Sequence, residues 1–190
     1  MSTQPTLTTE RLVLRPFTEA DAGDVKRLAS AFAIADTTLN IPHPYEDGFA
    51  ETWIGTHQAK FEAGELAAFA LILCASNELT GAALLMLDKR WHRGELGYWI
   101  GEPYWGRGLA TEASERVVEY GFEDLDLHRI HACHFRRNPA SGRVLEKLGM
   151  SYEGTAREHV HRWDKYEDLL LYGLLRAEWE ARRNGKGAGD

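Results

Sequence analysis

The stretch YWGRGLATEA, from Tyr104 to Ala113, sets Gly106 and Gly108 at the mouth of a run of good helix formers, directly after the apolar segment ELGYWIG (95–101). Glycines this close to a helix start mark a turn that must bend sharply or let something approach the backbone where a β-carbon would intrude. The pattern therefore demands strand, tight turn and helix in that order. A Walker A loop is excluded, because no Lys-Ser or Lys-Thr follows the glycines. A dinucleotide fingerprint fits poorly. Thr111 stands where its third small residue belongs, and the preceding strands read as antiparallel. The remaining readings are a short anion cradle at a helix N-terminus and a glycine turn with no ligand.

Around that centre the periodicities describe one mixed α/β unit. RLVLRPF (11–17) reads as a first strand, ended by Pro16. Thr18 then caps a helix over EADAGDVKRLASAFA, with Asp21 at the capping-box position and Val25, Leu28, Ala29 and Phe32 at helical spacing. The proline-broken loop TTLNIPHPY leads to a second helical segment, DGFAETWIGTHQAKFEAG, with Phe49, Trp53, Ile54 and Phe61 on its apolar side and Gly64 at its end. LAAFALILCA, LTGAALLML and ELGYWIG are strands separated by turn signals, so antiparallel hairpin pairing is expected. Leu109, Ala113, Val117 and Gly121 trace the helix that follows the glycine turn. RIHACHF (129–135) is a further strand, and Asn138-Pro139 opens a helix that Gly149 closes. SYEGTAREHV and DLLLYGLL form a last long hairpin, followed by a terminal helix or turn in LLRAEWEARR. Residues 1–183 are expected to form one domain and 184–190 a disordered tail.

Composition bounds the partners. A net charge of −7 over 190 residues argues against a free-standing nucleic-acid binder. Cys74 and Cys133 are far apart and belong to no C-x-x-C, so a reducing compartment is expected. The polar start MSTQPTLTTE has no apolar core of a signal peptide. The longest apolar run, 66–75, is about half a membrane span. The expected location is the cytoplasm, with no membrane partner. His128, His131 and His134 invite a metal reading, but His131 would face away from the other two on a strand, and no metal is expected.

Three pieces taken together, ELGYWIGEPYWGRGLATEA, RNPASGRVLEKLGM and SYEGTARE, resemble the GNAT family of acetyl-coenzyme A-dependent N-acetyltransferases, most closely its RimJ/RimL branch. The resemblance runs from TERLVLRPF to the DLLLYGLLRAEW segment. It implies an α+β fold whose mixed, mostly antiparallel sheet is flanked by helices and splays into a V between ELGYWIG and RIHACHF. Acetyl-CoA would lie in that V. The backbone of Tyr98, Trp99 and Ile100 would pair with the pantetheine arm, and the amides of Gly106, Arg107, Gly108, Leu109, Ala110 and Thr111 would hold the diphosphate. Two departures stand out in the family's R/Q-x-x-G-x-G/A motif: Trp105 replaces the opening Gln or Arg, and Ala110 fills the last small position, both of which the RimJ/RimL branch tolerates. Leu145 also sits where many relatives carry a Tyr general acid.

The chemistry needs a neutral amine, so a base helps. Glu95, at the start of the cleft strand, is the candidate, directly or through a water; it also reads as a solvated strand-end carboxylate. Ser141 shares a helical face with Leu145 and Leu148, which turns its hydroxyl inward; the branch resemblance places it toward the coenzyme sulfur, and the other reading is a first-turn serine bonded to the backbone. Asn138 is an N-cap, to which a coenzyme contact would be additional, and Arg143, Arg136 and Arg137 are candidates for the 3′-phosphate. His159, His161 and Trp163 read either as lining for the acceptor side or as surface residues. The resemblance implies acetyl transfer to a primary amine by direct attack, foremost a protein N-terminus. A small-molecule amine and a non-catalytic acetyl-CoA-binding module are the alternatives. The loop from Thr37 to Phe49, with Glu46, Asp47 and Glu102, would shape the acceptor choice, and exposed Trp91 and Trp163 would suit a homodimer contact.

Overall fold

The computed structural model describes residues 3–187. Its organising element is β3 (Leu66–Leu73), in which every residue is buried. Such a strand needs a partner on both edges and cover on both faces. It pairs antiparallel with β2 (Leu12–Pro16) on one side and β4 (Leu79–Asp88) on the other. Outside these lie β1 (Leu7–Thr8) beside β2 and β5 (Arg93–Ile100) beside β4, both antiparallel. The sheet continues through β6 (Arg129–Phe135), β8 (Lys165–Leu175) and β7 (Ser151–Arg162), giving the order β1-β2-β3-β4-β5-β6-β8-β7.

Among the described residues only the β5–β6 pair is parallel, and it is short. Its register joins Arg93, Gly94 and Glu95 to Arg129, Ile130 and His131 and stops there. Beyond that point β5 keeps pairing with β4 as far as Ile100, while β6 pairs with β8 as far as Phe135. Each strand follows its outer neighbour, and the sheet opens into the expected V.

Between the two strands the chain crosses through α5 (Leu109–Glu123), whose Leu109, Ala113, Val117 and Gly121 are buried as their spacing predicts. After β6 comes α6 (Pro139–Leu148). Asn138 Oδ1 accepts from the Ser141 amide at 3.3 Å, and Gly149 takes the left-handed conformation at the far end (φ 83°). The β7–β8 hairpin turns on Trp163 and Asp164, both at positive φ (50° and 60°), as a two-residue loop between twisted strands requires.

The N-terminal helices differ from the sequence expectation. The helix predicted over 19–33 is in three parts: a 3-10 turn at Glu19–Asp21, α1 (Ala22–Ala29) and α2 (Phe32–Thr37). Ser30 bonds its hydroxyl back to the Lys26 carbonyl, and Ala31 turns extended (ψ 127°), which swings Phe32 out to 51% exposure. The second segment is likewise divided at Thr56 into α3 (Phe49–Gly55) and α4 (His57–Ala63). At the other end α7 spans Arg176–Gly187, so the helix covers 184–187 of the segment expected as a tail, and 188–190 lie outside the described residues.

Gly81 locks the β4–β5 contact that carries one wall of the V. A β-carbon there would lie 2.1 Å from the Trp99 carbonyl oxygen and 3.0 Å from the Ile100 Cα, both backbone atoms that no rotamer change can move. Gly81→Ala is expected to cost about 1–3 kcal/mol and to lower the melting temperature by roughly 2–4 °C per kcal/mol, measured by thermal unfolding.

Candidate active site

The V encloses a cavity of about 560 Å³. Of the residues predicted from sequence, Tyr98, Trp99, Ile100, Gly106, Gly108, Leu109, Ala110, Thr111, Asn138, Ser141 and Arg143 all line it. Gly106 and Gly108 are left-handed, at φ 72° and 78°. Gly108 is also the N-cap of α5 and supplies no side-chain acceptor; the first helical bond there runs from the Glu112 amide to the Gly108 carbonyl. The amides of Leu109, Ala110 and Thr111, ahead of that bond, thus have no intrahelical partner, and the helix dipole adds to their partial positive charge. Arg107 points elsewhere: its guanidinium lies over the Tyr104 ring at 5.8 Å, and its carbonyl accepts from Arg11.

On the opposite wall, α6 brings Asn138, Ser141 and Arg143 to the cavity, together with Lys147. Sequence reasoning missed Lys147, although its i, i+4 spacing from Arg143 was the available signal. Arg136 and Arg137, considered with Arg143 for the 3′-phosphate, are engaged elsewhere. Arg136 pairs with Asp168 at 2.9 Å, and Arg137 bridges Asp36 and Glu167 at 2.8 Å each. The second bridge straps α2 against the β7–β8 hairpin, assisted by a bond from Arg162 to the Ala35 carbonyl at 2.8 Å. Ile34, Thr37 and Thr38 at the end of α2 consequently wall the cavity, a contribution no local motif announced. Trp163 is half-buried rather than exposed, its ring 5.3 Å from that of Phe32.

Two side chains that line the cleft make bonds the sequence did not disclose. The Tyr98 hydroxyl crosses from β5 to α6 and lies 2.8 Å from Ser141 Oγ and 3.2 Å from the Ser141 carbonyl. Burial pushes the Tyr98 phenol up to about 12, against a smaller opposing effect of the serine bond. Trp105 donates its indole N–H to the Ile100 carbonyl at 2.5 Å, occupying one of the strand groups expected to face the pantetheine arm.

Glu95 sits at the apex of the V, in register with Met86 on β4 and His131 on β6. Side chains alternate along β5, so Glu95 projects to the sheet face opposite Tyr98. Cys133 Sγ lies 4.0 Å from Glu95 Oε1. Among the described residues Glu95 makes no ion pair, whereas nearby Glu153 is paired with Arg129. Burial, and to a lesser degree the Glu95 charge, push the Cys133 thiol up to about 11. Burial likewise lowers His131, with Glu95 opposing.

The GNAT acetyltransferase domain matches residues 11–151, about three quarters of the chain. The chain belongs to the GNAT acetyltransferase family. A Bacillus licheniformis protein named as the uncharacterized N-acetyltransferase p20 is 32% identical, over 92% of this chain and 98% of that protein. The Escherichia coli ribosomal protein uS5-alanine N-acetyltransferase is 29% identical, over 93% and 94% of the two chains. Among solved structures, the ribosomal L7/L12 α-N-protein acetyltransferase RimL in complex with coenzyme A superposes with a TM-score of 0.83 at 16% identity, over 90% of this chain and 98% of that one.

GNAT enzymes use acetyl-CoA, and the cavity suits it: unpartnered amides at the α5 terminus for a diphosphate, and Arg143 and Lys147 for further phosphate charge. Among the described residues no three His, Cys, Asp or Glu side chains group as metal ligands, and no helix is long and apolar enough to cross a membrane. Cys74 is exposed and Cys133 half-buried, both as free thiols. A thiol held near 11 carries almost no thiolate at neutral pH. At pH 8 iodoacetamide is expected to modify Cys74 rapidly and Cys133 much more slowly, read by peptide mass mapping. Glu95→Gln removes one cause of the elevation and is expected to speed labelling at Cys133.

Proposed function

We propose that this N-acetyltransferase transfers acetyl from acetyl-CoA to the α-amine of a protein N-terminus by direct attack, in the cytoplasm. The observation that carries the reading is Glu95, a carboxylate without a cation partner at the apex of the V. It lies on a sheet face where Met86 and Leu171 are 39% and 37% exposed. An open face beside an uncompensated negative charge suits an extended chain bearing a terminal ammonium. The relatives named for ribosomal-protein acetylation support the same acceptor class.

Acetyl-CoA, when bound, supplies an activated thioester. The remaining tasks fall to this chain. An α-amine with an ordinary value near 7.8 is roughly one-fifth neutral at pH 7 to 7.5, whereas a lysine near 10.4 is about one part in a thousand neutral. Glu95 accepts the excess proton, directly or through a water, at a cost that is small for an α-amine and large for a lysine. Ser141 Oγ, oriented by the Tyr98 hydroxyl at 2.8 Å, offers a hydrogen bond where negative charge gathers on the departing sulfur. The coenzyme thiol ionises readily enough that such a bond suffices without a strong acid at position 145. Cys133, a half-buried thiol held protonated, takes no covalent part.

Calorimetric titration of acetyl-CoA into the wild type and Gly108→Trp tests the cradle, and a parallel acceptor panel of N-terminal peptides, lysine and spermidine tests the acceptor. Micromolar binding that is lost in the variant, with turnover favouring the peptides, is expected; turnover confined to spermidine or lysine would sink the N-terminal assignment. Glu95→Gln is expected to lower turnover by about a hundredfold or more while leaving acetyl-CoA binding unchanged. If Glu95→Gln and Ser141→Ala both turn over normally, the catalytic assignment is wrong.

A further inference from the structure

Arg11 lies in the bend just before β2, far in sequence from the glycine turn, yet its side chain ends on it. One arm of the guanidinium donates to the Arg107 carbonyl at 2.9 Å. The rest grips Glu112 in the first turn of α5, through Nε at 2.6 Å and Nη2 at 2.5 Å. The same carboxylate also accepts from the Arg11 amide at 2.9 Å and from the Thr9 hydroxyl at 2.5 Å. Arg11 Nη2 is also the nearest atom to the direction a Gly108 β-carbon would take, at 3.6 Å.

Few other contacts hold this turn. Nothing lies within 4 Å of a β-carbon built on Gly106, and Trp105, Gly106, Arg107 and Gly108 are all exposed. Two left-handed glycines flanking one residue give a peptide that rotates at little cost. In a trans peptide the C=O and the following N–H point in opposite directions, so anchoring the Arg107 carbonyl on Arg11 turns the Gly108 N–H the other way.

We propose that Arg11, held by Glu112, is a positioning residue that braces the Gly106-Arg107-Gly108 turn in its diphosphate-binding conformation and neutralises the one carboxylate of the first α5 turn. This rests on the reading of the α5 terminus as the diphosphate cradle. The brace acts in two ways. It orders the turn before the ligand arrives, which removes an entropic cost from binding. It also keeps Glu112 from standing as an uncompensated negative charge beside an anionic ligand.

The test is calorimetry of acetyl-CoA with wild type, Arg11→Met, Glu112→Gln and the double variant, alongside melting temperatures without ligand. Arg11→Met is expected to weaken acetyl-CoA binding on the order of tenfold. The double variant should recover part of that loss, because the stranded carboxylate is gone. Use of S-acetylpantetheine, which has no diphosphate, should keep its wild-type kcat/KM in Arg11→Met. If Arg11→Met does not fold, Arg11→Lys carries the test: a single ammonium can satisfy Glu112 but lacks the second arm to the Arg107 carbonyl, so it should melt like the wild type and still bind acetyl-CoA more weakly. Unchanged affinity in the folded variants, or an equal loss with S-acetylpantetheine, overturns the brace. A wild type that binds no acetyl-CoA instead removes the cradle, and the brace with it.

Discussion

The rest of the molecule depends on a parallel ladder that stops early. Strands β5 and β6 share only three register pairs, ending at Glu95 and His131, and each then follows a different antiparallel neighbour. A continuous sheet would satisfy the backbone groups along both inner edges, and leaving such groups unpaired is costly unless water or a ligand meets them. The chain instead lines the gap with Tyr98, Trp99 and Ile100 on one side and the first turn of α6 on the other. The V is thus a break in the sheet that retains hydrogen-bonding capacity, and a molecule with an extended amide-bearing arm can use it as a strand would.

Charge is arranged against the average of the molecule. The protein carries a net charge of −7, yet the cavity gathers Arg143, Lys147 and the positive end of α5. Glu112, in that first turn, is consumed by Arg11 and Thr9, and its carboxyl is held below the usual range by these partners despite the opposing effect of burial. On the other sheet face Glu95 makes no ion pair among the described residues. The proposed function would thus divide the sheet into a face for anions and a face for an ammonium group, joined at the short β5–β6 ladder.

Much of this was legible because it is local. Strand periodicity, the Asn138-Pro139 helix start, the Gly149 stop and the glycine turn each reside in a few consecutive residues, and the structure places them as read. What escaped was either a break inside an amphipathic run or a contact across distance. The bend at Ser30-Ala31 carries no glycine or proline, and it is made by a serine bonded to its own helix. Arg137 is one of three sequence candidates for the 3′-phosphate, but Asp36 and Glu167 claim it from two remote elements. Arg11 reads in sequence as part of the RLVLRPF strand, and nothing nearby hints that it precedes the strand and ends at Arg107.

Leu145, where the resemblance places a phenol, is fully buried in the core and contributes only packing. A phenol nevertheless reaches the first turn of the same helix, because Tyr98 projects across the V to Ser141. The two supplies are not equivalent. A hydroxyl raised to about 12 by burial is a poor proton reservoir but a persistent hydrogen-bond donor, neutral across the whole working range of pH. If Tyr98 donates to Ser141 Oγ, the serine's own hydrogen is left to point into the cleft; if it donates to the Ser141 carbonyl, the serine hydrogen is drawn back toward the phenol. The geometry permits both, so a group arriving in the cleft with an electron-rich atom would favour the first over the second, and Ser141 would be turned toward it by the strand rather than by its own helix.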